Sequence, residues 1–208
     1  MKVLAIIPSR FGSTRLPGKP LKLIGGKPMI QRVYEQVSSC SLVHETIVAT
    51  DDERIKEAVL GFGGKVEMTS SNHKTGTDRC IEVLEKTNPS YDLVLNVQGD
   101  EPFVQHAQLV TVVNLLNKPD SQIASLKKAI KIKDELFNPN TVKVVVDDAN
   151  KALYFSRNSI PFLRGEEKET WLEKSSYYKH IGIYGFKASA LMQIKTLQEG
   201  VLEQAESL

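Results

Sequence analysis

Short apolar runs alternate with amphipathic segments through the first half of the chain. Four of the runs predict strands, at residues 3–7, 46–50, 65–68 and 91–97. The segments after them carry apolar residues at helical spacing, at residues 29–37, 55–62, 81–84 and 109–116. The first run is apolar at every position, which is typical of a strand buried on both faces of a parallel sheet. Four successive strand–helix units predict an α/β fold, with an open sheet and helices on both of its faces.

The second half of the chain has a less regular pattern. It predicts strands at residues 123–132, 141–146, 153–155 and 177–186, a turn at residues 147–150, and a helix from Leu191 onward. In the first half, we expect Thr77 or Asp78 to cap the third helix, because both side chains can accept hydrogen bonds from the first helical amides. No repeat or change in composition marks a linker, so we expect residues 1–208 to form a single domain.

The composition is that of a folded chain with nearly balanced charge. Of the 208 residues, 41% are hydrophobic and 25% are charged, which excludes disorder as the main state. The 27 lysines and arginines exceed the 25 acidic residues by only two, which disfavours a general nucleic-acid binder. Cys40 and Cys80 are too far apart for a CxxC site and suggest a reducing compartment. Since no apolar run reaches membrane-spanning length, we expect a cytoplasmic protein that binds neither nucleic acid nor membrane.

Residues 8–20, which follow the first predicted strand, concentrate basic residues, hydroxyls and glycines. They include Arg10, Gly12, Ser13, Thr14, Arg15, Gly18 and Lys19. The carboxyl end of a strand is where open α/β sheets bind ligands, and convergent cations beside free backbone amides suit a polyphosphate. The segment is neither a Walker A loop nor a GxGxxG fingerprint. The alternative interpretation is a solvated basic loop that serves solubility.

Two adjacent acids follow the fourth predicted strand. Asp100 and Glu101 point to opposite sides of an extended segment, so only one of them can reach a given metal ion. A carboxylate at this edge could hold Mg²⁺, which takes one or two carboxylates together with phosphate oxygens and water. A surface turn with solvated acids is the alternative. Asp51 and Asp52 end the second strand in the same way, and capping of the next helix explains them better than metal binding does.

Three further segments carry candidate ligand-binding residues. Residues 72–79 join the third strand to the third helix, and their glycine permits a close approach of the backbone beside unpaired helix amides. Arg157 follows a short strand and suits a carboxylate, with a structural ion pair as the alternative. His180 and Tyr184 lie four residues apart in one strand and share a face, which can meet either a ligand or the packed core.

Taken together, these segments resemble the signature of the sugar nucleotidyltransferases. PSRFGSTRLPGKPLKLIGGKPMIQRVYE comes first, and VATDDERI, HKTGTDR, LNVQGDEPF, FNPNTVKVV, ALYFSRNSIP and HIGIYGF follow in order over nearly the whole chain. Within that group, the chain is similar to the 3-deoxy-manno-octulosonate (Kdo) cytidylyltransferase family. The resemblance implies a Rossmann-like αβα nucleotide-diphospho-sugar transferase fold with a mostly parallel central sheet. It also implies a homodimer, CTP and Kdo as small-molecule substrates, and Mg²⁺ as cofactor.

The same resemblance implies a reaction and roles for individual residues. CMP is transferred from CTP to Kdo, giving CMP-Kdo and pyrophosphate for lipopolysaccharide biosynthesis. The catalytic residues would be the cations that hold the triphosphate and the carboxylate that holds the metal: Arg10, Arg15, Lys19 and Asp100. The substrate-binding residues would be Ser13, Thr77, Arg79, Gln98, Arg157, His180 and Tyr184. Among these, Thr77 and Arg79 would lie beside the base, and Gln98, Arg157 and His180 beside the sugar.

Two other functions fit the same residues. One is a cytidylyltransferase for another acidic sugar, such as an 8-amino Kdo analogue or a sialic-acid relative. The other is a catalytically silent nucleotide-binding protein that keeps the fold. Family members also continue into a segment with a GVDTPED-like motif that supplies a second metal-binding aspartate, and this sequence contains no such motif. We therefore expect a chain that is truncated at its C-terminus.

Overall fold

A computed structural model describes residues 1–12, 16–87 and 91–207 of the chain. The chain divides into two compact units. The first comprises Met1–Ala124 and Gly182–Leu197, and the second comprises Ser125–Ile181 and Gln198–Leu208. Each unit contains its own cluster of buried apolar side chains. The single domain expected over residues 1–208 stays a prediction.

The described residues contain every strand and helix that the sequence pattern predicts, with ends shifted by a few residues. The strands are β1 (Val3–Ser9), β2 (Leu23–Ile24), β3 (Lys27–Pro28), β4 (Glu45–Thr50), β5 (Val66–Met68), β6 (Leu93–Asn96), β7 (Ile123–Ala129), β8 (Lys143–Val146), β9 (Ala152–Ser156) and β10 (Tyr178–Lys187). The helices are α1 (Met29–Ser38), α2 (Glu53–Gly61), α3 (Gly76–Lys86), α4 (His106–Leu116), α5 (Lys133–Phe137), α6 (Trp171–Lys174), α7 (Ala188–Ile194) and α8 (Val201–Glu206). None of these described helices is both long enough and apolar enough to cross a membrane.

The first unit is built on a mostly parallel sheet. Its parallel strands lie in the order β5, β4, β1, β6, so that the first strand of the chain is central. The second half of β10 extends this sheet antiparallel to β6, with Tyr184 opposite Asn96. Numbered by their order along the chain, these four parallel strands lie in the order 3-2-1-4. The first four strands of dinucleotide-binding sheets have the same order. The predicted α/β architecture with a Rossmann-like, mostly parallel sheet is therefore confirmed.

The central position of β1 explains its continuous apolar sequence. The side chains of residues 4–7 are 0% exposed, because neighbouring strands cover both edges and other elements cover both faces. On one face, Leu4 and Ile6 pack in a cluster with apolar side chains of α3 and α7. Each such buried side chain contributes roughly 1.5–3 kcal/mol to the free energy of unfolding. This buried strand ends at Ser9, and Arg10, the first basic residue of the segment 8–20, follows directly.

Two helices that lead away from the sheet begin with polar caps. Asp52 caps α2, since its Oδ1 accepts a hydrogen bond of 3.0 Å from the Arg54 amide, and the capping role expected of Asp51 and Asp52 is confirmed for Asp52. It is wrong for Asp51, which pairs with Arg79. Thr75 caps α3 in a capping box, in which Thr75 Oγ1 accepts from the Asp78 amide and Asp78 Oδ2 accepts from the Thr75 amide. The cap expected at Thr77 or Asp78 is therefore wrong. The helix begins earlier because a threonine and an aspartate three residues apart satisfy each other's amides.

The second unit is smaller and mostly antiparallel. β8 pairs with β9 through the predicted turn, where Asn150 adopts a left-handed φ of 63°. The first half of β10 lies beside β8, with Lys179 opposite Lys143. An apolar cluster contains Trp171 stacked on Tyr177, with ring centroids 6.1 Å apart. The short helices α5 and α6 belong to this unit, and neither is predicted by the apolar pattern.

Candidate functional site

A cavity of about 380 Å³ opens in the first unit at the carboxyl edge of its parallel strands. This is the edge at which the sequence places the ligand site. Its walls come from the ends of β1 and β6, the start of α3, the 3₁₀ turn Lys19–Leu21 and the middle of β10. The lining residues are Pro8, Ser9, Arg10, Lys19, Pro20, Gly76, Thr77, Asn96, Gln98, Gly99, Asp100, Gly182 and Tyr184. Six predicted site residues are among them: Arg10, Lys19, Thr77, Gln98, Asp100 and Tyr184.

Glycines allow the cavity walls to approach one another closely. A Cβ atom added at Gly99 would lie 3.0 Å from the carbonyl oxygen of Pro8, which is closer than side chains normally pack. A Cβ atom added at Gly182 would clash with the amide nitrogen of the Gln98 side chain. The ends of β1 and β6 can therefore lie side by side, and Gln98 rests against the backbone of β10. This packing fixes where Gln98 and Asp100 meet the cavity.

Lys19 and Asp100 form an ion pair on the cavity wall. Lys19 Nζ donates a hydrogen bond of 2.6 Å to Asp100 Oδ2, and the two side chains are 33% and 43% exposed. Gly18, with a left-handed φ of 67°, turns the backbone into the 3₁₀ turn that carries Lys19. An exposed pair of this kind contributes only about 0–1 kcal/mol to stability. Lys19 can therefore leave Asp100 to bind a phosphate, and Asp100 can leave Lys19 to bind a cation, with little loss of folding free energy.

Arg10 supplies a second cation to the same wall. Its Nη2 donates a hydrogen bond of 2.5 Å to the carbonyl oxygen of His73, in the loop between β5 and α3. Ser13 and Arg15, which the sequence also predicts in the site, lie outside the described residues, so their predicted roles stay predictions.

Asp100 is also the residue that the sequence predicts as a metal ligand. Asp100 lines the cavity and Glu101 does not. The extended segment expected here is wrong, because the two acids lie in a turn that a 3.2 Å hydrogen bond from the Glu101 amide to the Gln98 carbonyl oxygen closes. Within the described ranges, no group of three or more histidine, cysteine or acidic residues could hold a metal ion by itself. Mg²⁺ usually binds one or two carboxylates and completes its shell with phosphate oxygens and water. One carboxylate beside two cations therefore fits Mg²⁺ that binds together with a polyphosphate.

The structure does not bring Arg79 to this cavity. Its side chain is 1% exposed and belongs to the interior side of α3. Arg79 Nη2 donates a 2.7 Å hydrogen bond to Asp51 Oδ2, and Nη1 donates a 2.6 Å hydrogen bond to Thr69 Oγ1. The predicted contact with the base is therefore corrected to a buried ion pair, because residues two apart on a helix face different directions and Thr77 is the one that meets the cavity.

The sequence pattern misses two polar residues of the cavity wall. Asn96, the last residue of β6, is 8% exposed and could have been noticed as the polar position in an apolar run. Ser9 ends β1, and its buried hydroxyl has no hydrogen-bond partner within the described residues. A buried polar group without a partner is costly unless a ligand or water satisfies it.

Arg157 lies in the second unit, at the end of β9. Its guanidinium donates hydrogen bonds to three backbone carbonyl oxygens, those of Pro139, Glu206 and Ser207, at 3.2, 2.7 and 3.1 Å. These oxygens orient the guanidinium without neutralising its charge. The Glu206 carboxylate accepts hydrogen bonds from the Arg157 amide and from Ser156 Oγ, both at 2.9 Å. The hydrogen bond from the Arg157 amide contributes most to lowering the pKa of Glu206.

His180 is a partly buried, neutral side chain in the second unit. Its Nε2 forms a 2.7 Å hydrogen bond with Ser125 Oγ, and its ring meets the Phe155 ring edge-on with centroids 4.9 Å apart. Burial lowers the pKa of His180 from 6.5 to about 4. At neutral pH the imidazole is therefore uncharged, and it can orient a polar group but does not supply a positive charge.

This low pKa predicts a loss of stability in mild acid. The unfolded chain binds a proton at His180 below about pH 6.5 and the folded chain only below about pH 4, so the free energy of unfolding falls as the pH drops through this window. From pH 7 to pH 4.5, the free energy of unfolding should fall by about 2 kcal/mol more in the wild type than in His180→Gln. Urea unfolding at the two pH values measures this difference. Equal losses in the two proteins would mean that His180 titrates normally in the fold.

Comparisons with known proteins show what the chain is similar to. Residues 4–208 match the family model described as Cytidylyltransferase. A protein of Phocaeicola vulgatus named 3-deoxy-manno-octulosonate cytidylyltransferase is 54% identical over all of this chain and 83% of its own length. The protein of the same name from Bacteroides thetaiotaomicron is 51% identical, over all of this chain and 84% of its own length. A solved structure of CMP:2-keto-3-deoxy-manno-octonic acid synthetase complexed with CTP is 45% identical and superposes with a TM-score of 0.91, over all of this chain and 83% of that one.

Proposed function

The chain belongs to the 3-deoxy-manno-octulosonate cytidylyltransferase family, and we propose that it transfers CMP from CTP to Kdo and releases pyrophosphate. The observation that carries the proposal is the cavity wall on which Arg10, Lys19 and Asp100 come together. Two cations and a carboxylate at the carboxyl edge of a parallel sheet suit a nucleoside triphosphate with its divalent cation. The similar structure with bound CTP supports the choice of nucleotide.

In the proposed reaction, the anomeric hydroxyl oxygen of Kdo attacks the α-phosphorus of CTP in line. A bond forms between that oxygen and the phosphorus, the bond from the phosphorus to the pyrophosphate oxygen breaks, and the hydroxyl proton passes to water. Arg10 and Lys19 hold the triphosphate and stabilise the negative charge that grows on the departing pyrophosphate. Arg15 belongs to the same proposal, by family resemblance. Positioning and charge stabilisation are the main contributions of the protein in this type of reaction.

We propose Mg²⁺ as the cofactor, with Asp100 as its protein ligand. Bound Mg²⁺ would neutralise phosphate oxygens and thereby make the α-phosphorus easier to attack. Asp100 can turn to a cation because its present partner, Lys19, is then drawn to the phosphates. Lys19 would therefore bind the phosphates of a magnesium–nucleotide complex, and Asp100 would bind its Mg²⁺.

The remaining predicted residues are proposed to contact the base and the sugar. Thr77 stands at the start of α3, where the first helical amides are available to a ligand. Gln98 and Tyr184 line the cavity and offer hydrogen-bonding groups to a sugar. Arg157 and His180 are proposed on the sugar side by family resemblance, with Arg157 binding the carboxylate as a fork of donors.

Pyrophosphate release is the direct test of this function. With CTP and Mg²⁺ present, we expect release only when Kdo is added, and we expect CMP-Kdo to appear in equal amount. The same assay with an 8-amino Kdo analogue and with a sialic acid serves as the substrate control. Faster turnover of either control sugar would replace Kdo in the proposal, and no release with any of them would favour a catalytically silent nucleotide-binding protein.

A further inference from the structure

We propose that Glu82 is a positioning residue that aims Arg10 at the nucleotide by holding the loop between β5 and α3, residues 69–75. The proposal rests on the proposed function, because the ligand whose binding it affects is CTP. Glu82 lies on α3 and does not line the cavity. It acts through two successive steps, from its carboxylate to the loop and from the loop to Arg10.

The first step is a pair of hydrogen bonds between Glu82 and the loop. Glu82 Oε2 accepts a 2.9 Å hydrogen bond from the Ser70 amide and lies 2.5 Å from Nε2 of His73. Ser70 and His73 stand at the two ends of the turn in which the Asn72 amide donates to Ser70 Oγ. One oxygen atom therefore fixes both ends of this turn against the helix.

The second step leads from the loop to the cavity. The carbonyl oxygen of His73 accepts the 2.5 Å hydrogen bond from Arg10 Nη2. A guanidinium is planar and rigid, so a single fixed donor restricts the direction of its remaining donors. The position of the His73 carbonyl therefore sets how Arg10 faces a phosphate in the cavity.

The chemical state of Glu82 suits this role. Burial raises the pKa of its carboxyl group, but hydrogen bonds from Lys86, the Ser70 amide and His73 outweigh that effect and lower the pKa to about 2. Lys86 Nζ lies 2.9 Å from Glu82 Oε1, which leaves Oε2 to accept from the loop. Glu82 is thus a permanent acceptor at neutral pH, held in place from its own helix.

The test is CTP affinity, measured by calorimetry on the full chain with Mg²⁺ present. We expect Glu82→Ala to weaken CTP binding by about three- to tenfold, because Arg10 then samples other directions. Glu82→Gln keeps an acceptor oxygen for the loop and should bind CTP within about twofold of the wild type. The matched control is Glu85→Ala on the same helix, whose carboxylate pairs with Lys195 and does not touch the loop; it should leave CTP binding unchanged. His73→Ala, which removes one anchor and keeps the carbonyl, should have an intermediate effect.

A double-variant comparison separates positioning from a general loss of structure. In an Arg10→Ala background, adding Glu82→Ala should produce no further loss of CTP affinity, because the group it aims is gone. An equal loss in both backgrounds, or wild-type affinity in Glu82→Ala, would overturn the positioning role while leaving the proposed function intact. A wild-type chain that does not bind CTP would overturn both.

Discussion

Asp100→Asn is expected to reduce turnover by at least about a hundredfold while leaving the fold intact. The amide has the shape of the carboxylate but no charge, so it can hold neither Mg²⁺ nor Lys19 in the way proposed. Stability should change by no more than about 1 kcal/mol, because the side chain is 43% exposed and its ion pair with Lys19 lies at the surface. Initial rates of pyrophosphate release with saturating CTP and Kdo measure the first effect, and urea unfolding measures the second.

The neighbouring acid provides the control for this prediction. Glu101→Gln removes a carboxylate one residue away that does not line the cavity, and its turnover should stay within a few-fold of the wild type. Equal losses in both variants would indicate a general effect of negative charge at the end of β6. Unchanged turnover in Asp100→Asn would remove the metal-binding assignment, whatever the behaviour of Glu101→Gln.

The part of the fold that could be predicted is the part that repeating apolar patterns determine. β1 is buried on both faces of its sheet, as the continuous apolar run at residues 3–7 predicts. Asp100 reaches the cavity and Glu101 does not, but the extended backbone from which this was expected is a turn in the structure, so here the pattern predicted the outcome and not its cause. The helices α5 and α6, with five and four residues, are too short to show a helical period, so the apolar pattern does not predict them.

Pairings between distant residues lay beyond the sequence pattern. Arg79 was expected beside the base because it follows Thr77 in a segment that resembles the family. Its partner is instead Asp51, which is 28 residues away and directly follows β4. Arg157 is oriented by Glu206, which is 49 residues away. Spacing along one element predicts which residues share a face, but it does not predict which charges meet when two elements pack. The cavity therefore opens at the edge where the sequence predicts the ligand site, while Arg79, one of the residues expected there, belongs to the interior.

The buried pair of Arg79 and Asp51 leads to the largest expected effect on stability. Asp51→Ala leaves the Arg79 guanidinium, whose side chain is 1% exposed, without a counter-charge. Removing one partner of a buried pair costs about 3–5 kcal/mol, and we expect about 3 because Asp51 is itself partly exposed. A single domain has only about 5–15 kcal/mol of stability in total, so the shift in a urea unfolding curve should be large. Asp52→Ala, in which a helix cap is lost and no charge is left buried, should cost only about 1 kcal/mol.

A double variant distinguishes an uncompensated charge from a simple loss of packing. Adding Arg79→Met to Asp51→Ala removes the buried charge and keeps an apolar side chain of similar length, so much of the lost stability should return. The double variant should also bind CTP as the wild type does, because Arg79 contacts Asp51 and Thr69 and does not line the cavity. If stability is recovered but CTP affinity falls strongly, Arg79 contacts the nucleotide after all. Stability and CTP affinity are both measured on this double variant. If Arg79 has a structural role, CTP affinity stays unchanged, and if Arg79 binds the nucleotide, CTP affinity falls.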